Sequence, residues 1–112
     1  MKKLLLLTML ISGGAWADLP KPKLSCNTLD LQSRYARLFA AGSFCGKDEN
    51  STYAQKLNTL FLLDQNKCKV SSEQIDPSDE QVDSAFQEIE SLPGIEQKSL
   101  CSSIDKQIKS LI

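Results

Sequence analysis

Histidine does not occur anywhere in the 112 residues. Its absence removes the commonest general base, the commonest zinc ligand and the usual pH switch near neutrality. Four cysteines are present, Cys26, Cys45, Cys68 and Cys101, but they lie 19, 23 and 33 residues apart. Without a C-x-x-C pair, neither the close ligand pairs of a structural zinc site nor the dithiol redox motif is available. Beyond residue 11 no long apolar run follows, whereas a membrane span needs about 20 such residues. Alternating apolar and polar runs are lacking, as are Asn-Gly and Asp-Gly hairpin dipeptides, so the signals of β-strands are missing.

A basic surface is lacking as well. The chain has 13 Lys and Arg against 14 Asp and Glu. Lys2 and Lys3 belong to a leader segment, and without them 11 basic residues face 14 acidic ones, a net charge of −3. Nucleic acid is therefore not an expected partner, because phosphate contacts demand cationic surface.

What is present begins with that leader. Met1-Lys2-Lys3 is a short basic region, Leu4 to Ile11 is apolar except for Thr8, and Ser12-Gly13-Gly14 breaks a helix. Ala15-Trp16-Ala17 fits the small-x-small rule of a signal-peptide cleavage site. The sequence predicts cleavage after Ala17. Residues 1–17 are the signal peptide, 18–24 an extended tail containing Pro20 and Pro22, and 25–112 one domain. The expected location is the periplasm, with full secretion as the alternative. No stable membrane insertion is expected after cleavage.

Four amphipathic helices account for the domain. Leu31, Tyr35, Leu38 and Phe39 share one face of a helix over about 27–41, with Asn27 or Thr28 as cap and Gly42 as a left-handed stop. Arg34 and Arg37 fall off this stripe and read as solvated charges. Gly42 to Gly46 reads as a turn rather than a phosphate cradle, because no strand precedes it. Phe44 is expected to plug the end of the core. A second helix over about 51–67 puts Tyr53, Leu57, Leu60, Phe61 and Cys68 on one face, with Leu62 almost opposite. After a connector, Asp76 as cap and Pro77 at the first helical position open a third helix, and Ser78 with Gln81 offers a capping box. Val82, Ala85, Phe86 and Ile89 form its apolar face, and Pro93-Gly94 ends it. The fourth helix, about 95–111, carries Cys101, Ile104, Ile108 and Leu111. The reading is an all-α, up-down four-helix bundle stapled by two disulfides.

Helix geometry narrows the cysteine pairing. Cys26 and Cys45 bracket the first helix, whose roughly 20 Å length at 1.5 Å per residue far exceeds the 4.4–6.8 Å or so between bonded α-carbons. In an up-down bundle the start of helix one lies beside the end of helix two, which favours Cys26–Cys68 and leaves Cys45–Cys101.

Function is less legible. Between Val70 and Gln97 stand eight acidic residues and no lysine or arginine. Glu80, Asp83 and Glu90 share an off-core stripe with Gln87. Two carboxylates could serve a glycosidase, but that chemistry needs a cleft and one raised pKa. The stripe reads either as a solvated face, partly balanced by Lys98, Lys106 and Lys109, or as a docking surface for a basic protein. Leu62 is a second candidate contact residue. No catalytic residue, metal site or cofactor is predicted. The expected function is a non-catalytic, exported binding protein, such as an inhibitor, an immunity protein or a secretion or conjugation accessory factor. The alternative is a periplasmic stress chaperone of the small helical, acid-activated kind. Oligomeric state is not encoded in any feature of the sequence.

Overall fold

The computed structural model describes residues 26–112. The signal peptide, its cleavage site and the tail at 18–24 lie outside the described residues. Within them the chain is all helical: α1 Thr28–Phe44, α2 Thr52–Cys68, the single turn α3 Ser72–Ile75, α4 Asp79–Glu90 and α5 Gly94–Leu111. No strand occurs among the described residues.

The starts of α1 to α4 are each set by a polar side chain that satisfies otherwise unpaired backbone N–H groups, whereas α5 follows Pro93 without a side-chain cap. Asn27 Oδ1 accepts from the N–H groups of Leu29 and Asp30 at 2.9 and 3.2 Å. Ser51 Oγ accepts from Ala54 N at 3.1 Å. Ser71 with Gln74 and Ser78 with Gln81 make two successive capping boxes, at the starts of α3 and α4. Gln32 of α1 fastens both, donating through Nε2 to the Gln74 carbonyl at 2.9 Å while its Oε1 accepts from Gln81 Nε2 at 3.3 Å. The cap of α4 is thus Ser78. Asp76 instead closes α3, because the short turn before it uses the residue first.

The stop of α1 also differs from the sequence expectation. Gly42 lies inside the helix and is buried, and the left-handed residue is Gly46, with φ 74°. The N–H of Gly46 donates to Ser43 O at 3.1 Å and that of Lys47 to Gly42 O at 2.8 Å, a Schellman closure. Gly42 serves close approach instead: a Cβ there would stand 2.6 Å from Tyr53 Cε2. Tyr53 crosses this point to donate its hydroxyl to the Leu38 carbonyl at 2.6 Å.

α1 is the central element and is covered on more than one side. Leu31, Tyr35 and Leu38 enter the core, as the stripe predicted, but Ala36 and Ala40 are buried too. Small side chains let a neighbour approach closely, and the most extensive helix contact is between α1 and α4, where Ala85 is buried. The next is between α2 and α5. Ile75 of the one-turn α3 is fully buried. Phe44 packs edge-on to Phe86, with ring centroids 5.6 Å apart, and closes one end of the core as expected.

Both disulfides join the predicted partners. Cys26–Cys68 ties the start of α1 to the end of α2, and Cys45–Cys101 ties the end of α1 to α5; each spans 5.3 Å between α-carbons. No free cysteine remains among the described residues.

Candidate functional site

Three surfaces and one buried cluster hold the polar chemistry. On α4, Glu80, Asp83 and Glu90 are exposed, and none makes an ion pair among the described residues. Leu62 is 56% exposed. The structure does not bring it to the acids, since α2 packs mainly on α5 and α4 on α1. Glu80 lines a polar groove of about 580 Å³ between α1 and α4, together with Ser33, Arg37, Ser84 and Glu88.

A second groove, of about 610 Å³, runs between the end of α1 and the first half of α2. Its floor is Phe39, Tyr53, Leu57 and Phe61; its rim includes Asp48, Glu49, Gln55, Asn58 and Asp76. Lys47 also lines it, but its ammonium group lies 3.1 Å from Asp105 of α5. No feature of the sequence singled out this groove, because its acids come from the α1–α2 turn and from the residue closing α3.

The buried cluster overturns the reading of Arg34 as a solvated charge. Its side chain is only 9% exposed, and Nη1 lies 3.2 Å from Oδ2 of the buried Asp64. Tyr35 donates its hydroxyl to the same oxygen at 2.5 Å. Arg34 sits at the flank of the α1 stripe, and Asp64 occupies the apolar stripe of α2, seven residues after Leu57. An acid on an apolar stripe was the signal that could have found the cluster. Burial first, then the hydrogen bond and charge of Asp64, push the Tyr35 phenol far above its ordinary range, with Arg34 acting in the opposite direction. The cluster holds a neutral phenol donor on a carboxylate, which fixes α1 against α2. Beside it lies a cavity of about 50 Å³ lined by Arg34, Leu60, Leu63 and Lys67 among others, and Arg34 Nε is buried without a hydrogen-bond partner.

Among the described residues no group of three or more Cys, Asp or Glu could hold a metal ion. None of their helices is long and apolar enough to cross a membrane.

No protein-family model, curated protein or solved structure matches this chain.

Proposed function

We propose that this is an exported, non-catalytic binding protein of the periplasm that captures a basic protein partner. The observation that carries the reading is that exposed Glu80, Asp83 and Glu90 make no ion pair among the described residues, on a helix anchored to α1 through two capping boxes. Unpaired surface charge of one sign steers an oppositely charged partner and sets its register. The scaffold supports the same reading. Two disulfides and a buried ion pair hold the helices, so little conformational entropy is lost when a partner docks. Disulfides also fit an oxidising compartment.

The test is partner capture from the producing cell, followed by charge reversal. Glu80→Lys, Asp83→Lys and Glu90→Lys together should abolish binding while circular dichroism stays unchanged, because exposed substitutions typically shift stability by only about 0.5 kcal/mol each. Binding by the unaltered protein should weaken as salt rises, since exposed charges are screened over about 8 Å at physiological ionic strength. Leu62→Asp provides the contrast: loss of binding independent of salt would move the contact to α2. A folded triple variant with undiminished affinity would leave the stripe as a solvated face.

A further inference from the structure

The groove between α1 and α2 combines two features that single acids or single apolar residues do not. Its floor is aromatic and only partly covered: Phe39 and Phe61 pack against the core yet stay partly exposed, beside Tyr53 and Leu57. Its rim carries Asp48, Glu49 and Asp76, while Lys47, the one lysine on it among the described residues, is drawn to Asp105. The local charge at the mouth is therefore negative. Aromatic faces carry the same sign of partial charge and attract cations.

We propose that this groove receives a short segment of a partner protein in which leucine or aromatic side chains alternate with lysine or arginine. The apolar side chains rest on Phe39, Phe61 and Leu57, and the cations meet Glu49 and Asp76. The exposed side-chain amides of Gln55 and Asn58, which have no hydrogen-bond partner among the described residues, offer donors and acceptors to its backbone. The volume suits a few side chains rather than a folded domain, lying inside the range of roughly 300–1,000 Å³ typical of ligand clefts. Its walls are preformed. Tyr53 is fixed by Gly42 and by the Leu38 carbonyl, and the end of α1 is tied to α5 by Cys45–Cys101. An anionic lipid or nucleic-acid strand would meet the repulsion of the rim. The proposal rests on reading the chain as a binding protein but places contact on a surface separate from the α4 stripe.

The experiment uses oxidised protein purified from cells expressing the full chain, and a fluorescein-labelled peptide of alternating lysine with leucine and phenylalanine. Two control peptides replace the lysines by glutamate, or the apolar residues by serine. Fluorescence anisotropy should show each control binding at least tenfold more weakly. Glu49→Lys with Asp76→Lys should weaken the first peptide at least tenfold at low salt. Asn58→Trp, which fills the mouth from an exposed helix position, should do so at any salt. The triple reversal of Glu80, Asp83 and Glu90, on a different face, should weaken the peptide less than the groove pair does, and only at low salt. Binding lost with that triple but not with the groove variants would overturn the groove while preserving the α4 reading. The proposal also fails if the three peptides bind alike. It fails if binding requires removal of residues 18–24, which would make the chain's own leading segment the occupant. Dissociation of a dimer by the peptide would make the occupant a second copy, and would equally overturn it.

Discussion

Two ion pairs of nearly the same length sit in this small protein and do different work. Arg34–Asp64 is 3.2 Å long with side chains 9% and 5% exposed; Lys47–Asp105 is 3.1 Å long with side chains 26% and 55% exposed. Distance alone would rank them equal. Solvent separates them, because attraction in water is screened while a buried charge that loses its partner has nothing to replace it. The first pair also recruits the Tyr35 hydroxyl and joins the middle of α1 to the last third of α2. The second joins a turn residue to the surface of α5. One locks the core, and the other sets charge at the rim of the apolar groove.

The largest expected effect comes from breaking the buried pair on one side. Asp64→Ala leaves Arg34 buried without a counter-charge and Tyr35 without an acceptor, and should cost about 3–5 kcal/mol in urea unfolding. Replacing the whole cluster, with Arg34→Met, Asp64→Leu and Tyr35→Phe, should recover most of that loss, because no buried polar group is then stranded. If Asp64→Ala costs under 1 kcal/mol, the pair is hydrated in solution and the contrast with Lys47–Asp105 collapses.

The contrast also marks what the sequence could disclose. The four long helices, their apolar stripes and both disulfide pairings were legible, since each follows from a 3.6-residue period and from where the cysteines fall along the helices. The cluster was not, because a helical wheel drawn for one covered face treats flanking Arg34 as wet. α1 is covered on further sides by contacts that involve Ala36, Ala40 and Gly42, and such small residues give almost no hydropathy signal. Gly42 was legible as a glycine with a purpose but not as to which one. A left-handed stop and a close helix crossing demand the same residue, and only the position of Tyr53 decides between them. Of the binding surfaces, Glu80, Asp83, Glu90 and Leu62 could be named as exposed in advance. The groove could not, because residues far apart in the chain must first be folded together.

A second effect sharpens the comparison through pH. Tyr35 and Tyr53 are the only tyrosines in the chain, and both are fully buried, Tyr35 at 0% and Tyr53 at 1% exposure. Both phenols are pushed well above their ordinary range, Tyr35 by burial and Asp64, Tyr53 by burial and then by the charge of Asp105. The unfolded chain releases these protons near pH 10, whereas the folded chain keeps them. Their contribution to stability is thus complete below about pH 10 and is lost as pH rises beyond it. The slope should approach about 2.7 kcal/mol per pH unit for two retained protons. Tyrosinate absorbance should appear together with the loss of helical circular dichroism, and Tyr35→Phe should halve the slope. Ionisation of both phenols in a folded protein would contradict the burial that distinguishes the two ion pairs.

The smallest effect belongs to the exposed pair. Asp105→Ala should change stability by at most about 1 kcal/mol, the ceiling for solvent-exposed ion pairs, and the difference should vanish in molar salt. Its consequence for charge should nevertheless be measurable. Lys47 would lose its counter-ion on α5 and become free to pair with Asp48 or Glu49 across the groove mouth, making the rim less negative. Binding of the lysine-rich apolar peptide should then weaken about two- to fivefold, a change of roughly 0.4–1 kcal/mol that falls within the range of one exposed ion pair. Lys47→Ala should act oppositely on binding and equally little on stability, since it removes the only cation lining the groove among the described residues. Such opposite shifts in affinity at unchanged stability would assign Lys47–Asp105 to the surface electrostatics of the groove. Equal and large losses of stability in both variants would show instead that this pair, like Arg34–Asp64, holds the fold.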